Sequence, residues 1–255
     1  MSGGLEWLAP DWPAPPGVHA AFATRSGGVS RAPWDSLNLG LHVGDDVVAV
    51  RENRRRLRAA LELPAEPLWL EQVHGIEVID ADTLDAATLA GIGPLGPCGD
   101  AVVARTAGQV ACIQVADCLP VLFCSRDGQR IGAAHAGWRG LAGGVLEATV
   151  AAIAVPGPEL LAWVGPAIGP AAFEVGEDVR AEFLAHSAGA ATAFAANPRG
   201  RWQCDLFELA RQRLAALGVG HVSGGGVCTH SDPGRFFSHR RSAPTGRHAA
   251  LIWRR

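Results

Sequence analysis

A thiol and an imidazole share one short stretch of this chain, Ala116–Gly140, ADCLPVLFCSRDGQRIGAAHAGWRG, and their spacing points to metal chemistry. Leu119–Ser125 and Arg130–Ala136 are apolar runs of strand length, and Asp127-Gly128 between them is a two-residue hairpin signal. With Arg126 opposite Gln129, Cys118 falls opposite Gly137, and His135 sits two residues from that pair. Directly opposed residues share a face and side chains repeat every second position, so Cys118 and His135 point the same way as diagonal neighbours. That diagonal is about 7–8 Å between backbones, within reach of a sulfur and a nitrogen converging on one zinc ion. A register slip of one residue would put them on opposite faces. Pro120 is the weak point, because proline belongs at sheet edges or bulges.

A catalytic zinc needs a third protein ligand, and His74 in Glu71-Gln72-Val73-His74-Gly75 is the candidate. Taken alone, a histidine before glycine is ordinarily a turn residue; the Cys118–His135 pair is what raises it to a ligand. A structural zinc would need a fourth ligand. Asp117 points to the opposite face and Cys124 lies six residues further along the strand, so neither closes the shell.

The basic residues are all arginine, so an anion must be held by guanidinium groups or backbone N–H groups. Arg25-Ser26-Gly27-Gly28 offers paired glycines whose N–H groups could form an anion nest, although the simpler reading is an ordinary turn. Arg51, Arg54, Arg55, Arg56 and Arg58 fall in a helix capped by Asp45 or Asp46 and running to about Leu63. Such a run is usually a solvated face; Arg54, after Asn53, is the candidate for an inward-turned phosphate ligand. In the tail, His221, Cys228, His230, His239 and His248 match no compact zinc pattern. Arg235, Arg240 and Arg241 beside Phe236-Phe237 read equally as an arginine-and-aromatic wall over a ring or as a packed polar segment.

The elements that must position these groups follow from the rest of the chain. At 255 residues, with 48% apolar composition, the chain can bury one large core, and residues 1–255 read as one domain. Residues 1–17, rich in Pro and Trp, read as an irregular strap. Strands are expected at Val18–Thr24, Ala101–Arg105, Gln109–Val115 and Leu160–Val164, with short apolar segments at Leu68–Leu70 and Ile76–Ala81. Helices are expected over Leu141–Ala154, from Glu177 to about His186, and over Leu206–Leu217 capped by Asp205. Residues 82–99 read as a variable connection and 187–203 as a loop. A net charge of −3 argues against nucleic-acid or membrane-surface binding, leaving a small molecule as the partner. Without a signal-like start or an apolar run of membrane-spanning length, a cytoplasmic location is expected, with the six cysteines reduced.

The segments TRSGGVS, SLNLGLHVGDD, ENRRRL, QVHG, ADCLPV, HAGWRG, GPAIGP, FEVGEDV and GRFFSHRR, in this order, resemble the laccase-domain family. That family is also called multicopper polyphenol oxidase-like, and it includes multifunctional purine nucleoside phosphorylases and the peptidoglycan editing factor. The resemblance runs from about Val18 to Trp253. It implies an α/β (α+β) fold of stacked mixed β-sheets flanked by helices, in α/β/β/α layers. It also implies a mononuclear zinc site, with copper as the alternative ion, in which His74, Cys118 and His135 match the family's ligands. Arg25, Arg54 and Arg139 fall in motifs that line the same pocket, and Arg54 with Arg25, Ser26 and Arg139 would bind phosphate. The tail departs from the pattern, because His230-Ser231 stands where many members have a second cysteine.

The implied chemistry follows from three ligands leaving one corner of a tetrahedral zinc open. An acidified water there could attack C6 of adenosine, and inorganic phosphate held by arginines could attack C1′ of adenosine or inosine. The rival reading is an amidase editing mis-loaded UDP-MurNAc-amino-acid precursors through zinc or the Cys118 thiolate. Polyphenol oxidation is weaker, since it needs several His-rich copper sites. A zinc-stabilised nucleotide-binding module is the non-enzymatic alternative, and the oligomeric state is open.

Overall fold

The computed structural model describes residues 4–85 and 93–255; part of the expected 82–99 connection lies outside the described residues. In chain order the elements are β1 (Trp7–Leu8), β2 (Val18–Ala23), α1 (Val47–Ala60), β3 (Val78–Asp80), β4 (Ala101–Ala104), β5 (Val110–Val115), β6 (Leu119–Ser125) and β7 (Ile131–Ala136). They continue with α2 (Trp138–Gly143), α3 (Val145–Ile153), β8 (Leu160–Val164), β9 (Glu174–Val175), α4 (Glu177–His186), β10 (Phe194–Ala196), β11 (Trp202–Cys204), α5 (Leu206–Ala216), β12 (His221–Gly224) and β13 (His248–Arg254).

A six-stranded sheet, β12-β8-β6-β7-β4-β3, packs against a four-stranded sheet, β1-β2-β13-β5; a small third sheet is β10-β11-β9. The layers are written into the strand periodicities. In β6, Leu119, Val121 and Phe123 face a core built with α2, α3, α4 and α5, while Leu122 and Cys124 face the other sheet. In β5, Ala111, Ile113 and Val115 join that inter-sheet core, while Val110 and Cys112 face outward to Leu57 of α1. The order is therefore helix, sheet, sheet, helices. Because both faces of β6 and β7 are buried, their sequences read as continuous apolar runs without polar alternation.

The hairpin register is the expected one, with Leu119 opposite Ala136 and Pro120 opposite His135. Its turn differs. The Ser125 carbonyl accepts from Gly128 N–H at 2.8 Å, so Arg126-Asp127 are the central residues and Gly128 takes the left-handed φ of 69°. Pro120 is tolerated in a central strand for a local reason. Its carbonyl accepts from Gly165 N–H at 2.9 Å, so its missing N–H would face β8 just beyond the last ladder pair, Val121–Val164.

Several expectations need correction. Residues 187–203 are not a loop: they hold a 3-10 segment, Ala188–Ala193, and the strands β10 and β11. The N-terminal lead contributes β1, which pairs with β2. The expected helix 141–154 is two helices, starts earlier at Trp138, and breaks at Gly144, where φ is 101°. Unforeseen, β13 lies between β2 and β5 and completes the second sheet. No described helix is long and apolar enough to cross a membrane, and all six cysteines are unpaired.

In the arginine-rich α1, capped by Asp46, the residue that turns inward is Asn53. Its Oδ1 accepts from Val29 N–H at 2.8 Å, and its Nδ2 donates to Ser30 Oγ and to the Asn38 carbonyl, both at 2.8 Å. Buried polar loops need such partners, because water cannot replace them. Replacing Asn53 by Ala should cost about 2–3 kcal/mol and lower the thermal midpoint by roughly 5–10 °C in a melting experiment. An unchanged midpoint would show that the 29–38 loop holds itself.

Candidate metal centre

Cys118 immediately precedes β6, and the turn before it is unusual. Asp117 adopts a φ of 85°, rare for a residue with a side chain. Its carboxylate explains the conformation, accepting from Thr229 Oγ1 at 2.7 Å, Ser238 Oγ at 2.9 Å and Arg240 N–H at 2.7 Å. Asp117 thus fastens the C-terminal segment to the site and does not join the ligands. Cys124 is buried in the inter-sheet core, away from the cluster.

His135 lies on β7, nearly buried, and Gly137 follows it facing Cys118. A methyl group on Gly137 would sit 3.0 Å from Cys118 Sγ and 3.0 Å from His74 Cδ2, so the bare backbone there keeps the cluster's interior free. His74 arrives from a distant turn, with its own φ at 63°. Two anchors deliver it. Gln72 brackets β5, donating to the Gln114 carbonyl at 2.8 Å and accepting from Gln114 N–H at 2.7 Å. The buried Asp100 carboxylate then accepts the N–H groups of Val73, His74 and Gly75 at 3.2, 2.9 and 2.6 Å.

The same carboxylate meets His135 Nδ1 at 2.7 Å. With Nδ1 turned to Asp100, Nε2 is aimed at the cluster, the arrangement in which a carboxylate orients a metal-ligating histidine. Cys118 Sγ lies 3.8 Å from His74 Nε2, the two histidine rings are 4.8 Å apart between centroids, and the ligand atoms of all three residues lie within 4.8 Å of one another. Two imidazoles and one thiolate are a borderline-soft donor set that suits zinc or copper and could hold a metal ion. Among the described residues this is the one such cluster.

The cluster's charges are coupled. Burial opposes a charge on Cys118, but the facing His135 and the hydrogen bonds from His135 and His74 prevail and bring its thiol down to about 6. Burial likewise opposes protonation of His135, and the Cys118 and Asp100 charges outweigh it, raising the imidazole to about 9. Burial would lift Asp100 too, yet the bonds from His135 and the turn amides hold it below the usual carboxylate range. The mutual attraction thus biases the pair toward a thiolate beside an imidazolium.

The trio opens into a cavity of about 370 Å³, also lined by Trp138, Ile168, Phe173 and Leu206 and by Arg240 and Arg247. The arginines expected there are elsewhere. Arg25 donates to the Asp35 carbonyl at 2.9 and 2.7 Å and to the Pro233 carbonyl at 2.9 Å, which makes it a strut between loop and tail. Ser26 N–H turns back to Thr24 Oγ1, Gly28 N–H donates to Ser36 Oγ and Val29 N–H to Asn53 Oδ1, so these N–H groups are engaged within the chain. Arg54 spends two donors on the Leu39 carbonyl and lies 3.7 Å over the Trp69 ring. Arg139 is exposed, stacked on Trp138 at 4.3 Å. None of these four lines the cavity. Arg240, for which the sequence left a ring-facing wall and a packed polar segment equally open, lines the cavity, whereas Arg247, Asp100, Gln72 and Gln114 carry no local sequence signal. Their roles arise from pairings across the fold.

An α/β sandwich with a three-ligand, metal-competent cleft at one end of its inter-sheet core is thus on view. The chain belongs to the multi-copper polyphenol oxidoreductase laccase family, whose model matches residues 19–255. It is 57% identical over 249 residues to purine nucleoside phosphorylase PA4543 of Pseudomonas aeruginosa, covering 97% of this chain and 98% of that one. It is 50% identical over 246 residues to purine nucleoside phosphorylase YfiH of Escherichia coli, covering 96% and 98%. Among solved structures, NMB0706 of Neisseria meningitidis superposes with a TM-score of 0.91 at 48% identity over 97% of this chain and 98% of that one. YlmD of Geobacillus stearothermophilus gives 0.90 at 33% identity over 100% and 97%.

Two outcomes follow from the coupled charges and from Asp100. Metal binding requires His135 to give up its Nε2 proton while Cys118 is already a thiolate, so between pH 6 and 9 this pair should release about one proton per ion. Below that window the thiol must also ionise and release rises; above it His135 is already neutral and release falls. Calorimetry of zinc binding in buffers of different ionisation enthalpy measures this, and zero release at pH 7 would contradict it. Asp100→Asn should weaken zinc by about 10–100-fold in chelator competition; unchanged affinity would remove Asp100 from the centre.

Proposed function

We propose that the cleft is the active site of a zinc-dependent purine nucleoside phosphorylase that also deaminates adenosine. What supports this reading is one cavity that brings the metal-competent trio together with two guanidinium groups and an apolar wall. Two relatives named as purine nucleoside phosphorylases, matching nearly end to end, favour it over other small-molecule chemistries.

In this reading Phe173, Leu206, Ile168 and Trp138 hold the flat purine by burying its faces. Arg240 spends Nη1 on the Glu174 carbonyl, and Arg247 spends Nη1 on the Thr245 and Gly246 carbonyls. The remaining N–H groups of both are left for an anion. Inorganic phosphate seated there attacks C1′ as the bond from C1′ to N9 breaks, giving ribose 1-phosphate and the free base. Catalysis comes from placing the phosphate and stabilising charge, with no covalent enzyme intermediate. Zinc held by His74, Cys118 and His135 would supply Lewis-acid chemistry to a reactant at its fourth position.

One observation favours a second reading. Cys118, His135 and Asp100 form a thiolate, imidazole and orienting carboxylate, the arrangement of a nucleophilic amidase. Such an enzyme would edit wrongly loaded UDP-MurNAc-amino-acid precursors.

Release of hypoxanthine from inosine, followed with and without phosphate, separates the two. Phosphate-dependent release, with Arg247→Met raising the KM for phosphate about tenfold or more, is expected. Absence of phosphate-dependent release, together with amide hydrolysis that Cys118→Ser abolishes, would establish the editing reading instead.

A further inference from the structure

We propose that the side-chain amide of Gln114 recognises the substrate's base, taking the edge formed by N1 and the 6-substituent of a purine. This rests on the nucleoside reading above and extends it to a residue that determines specificity.

Gln114 is the penultimate residue of β5, on the face shared with Val110 and Cys112, and only 5% of it is exposed. Its backbone is fully engaged: Gln72 takes both its N–H and its carbonyl, as a neighbouring strand would. Its side chain is not. Among the described residues the amide of Gln114 makes no hydrogen bond, and Oε1 is enclosed without a partner. Other enclosed side-chain atoms without a hydrogen bond exist, on Glu147, Arg180, Trp253 and Arg235, the last ion-paired with Glu6 at 3.3 Å, but none of those residues lines the cavity of the metal trio, whereas Gln114 does.

A buried primary amide without partners destabilises a fold, and a methionine of similar length would fill the same space without that cost. A polar group kept in such a place is explained when a ligand completes its bonds. A glutamine amide carries a donor and an acceptor that exchange places by a half-turn of the terminal torsion. Inosine presents an acceptor at O6 and a donor at N1, while adenosine presents a donor at N6 and an acceptor at N1. One amide, turned one way or the other, satisfies both. The position therefore accounts for a single cleft that accepts 6-oxo and 6-amino purines.

The test is Gln114→Met, assayed with phosphate on inosine, adenosine and purine riboside, which lacks a 6-substituent. Thermal midpoint, zinc content and calorimetric nucleoside binding are measured on the same samples. The expected result is a loss of about tenfold or more in kcat/KM and in affinity for inosine and adenosine. Purine riboside should lose less, so that the wild-type preference for 6-substituted nucleosides collapses, while zinc content stays equal and the midpoint is unchanged or higher. A merely structural glutamine would instead lower the midpoint and reduce all three substrates alike, and that outcome, or no loss at all, overturns the proposal. If the wild-type protein binds nucleosides without cleaving them, phosphorolysis fails and the affinity ratio alone decides for Gln114. If it binds no purine, both readings fall.

Discussion

One buried carboxylate holds this site together. Asp100, with no exposure, joins two of the regions that must meet: the 73–75 turn, from whose three consecutive N–H groups it accepts, and the β7 strand, whose His135 imidazole it orients. Without that acceptor the three amides would be left to solvent in a turn whose Val73 and His74 are exposed, and His74 would lose the bond that holds its left-handed backbone. Without a partner at Nδ1, the ring of His135 would be free to choose either tautomer. Geometry and charge are therefore set by the same group, and Cys118 becomes a thiolate as the third member of that chain of interactions.

The fold places this group where a cleft can open. The hairpin β6–β7 and the strand β5 bring their ends together at one rim of the inter-sheet core, so the trio sits between apolar layers and solvent. Around the rim, two further residues fasten segments that would otherwise hang loose. Gln72 stitches the incoming turn to β5. Asp117 gathers Thr229, Ser238 and the Arg240 backbone, which carries Arg240 to the cavity wall. Strain at His74 and Asp117 and the bare backbone at Gly137 are the local consequences of bringing three ligands this close.

The parts legible in the sequence were those set by short-range rules. Apolar runs flanking Asp127-Gly128 determined the hairpin register, and period two then put Cys118 and His135 on one face even though the turn itself closes one residue earlier. The Asp45-Asp46 pair, of which Asp46 is the cap, and Asp205 marked two helix starts in the same way. The layer order and the metal trio were legible through the family resemblance. What escaped was set by long-range pairing. Asp100 is a lone acidic residue after a Gly- and Pro-rich connection, and nothing near it shows that it will meet residues 25 to 35 positions away. Arg25 and Arg54 look like anion ligands by type, but bonds to the Asp35, Pro233 and Leu39 carbonyls hold them outside the cavity lining. Strand β13, buried on both faces, lies in a tail whose preceding histidines and glycines mask it.

X-ray absorption at the zinc edge of the purified, zinc-loaded protein tests the central claim most directly. The account predicts one sulfur at about 2.3 Å and two imidazole nitrogens at about 2.0–2.1 Å, with a fourth light ligand from solvent that exchanges when phosphate or nucleoside is added. A shell closed by four protein donors, a second sulfur, or zinc that stays bound after Cys118 and His135 are both removed would contradict it.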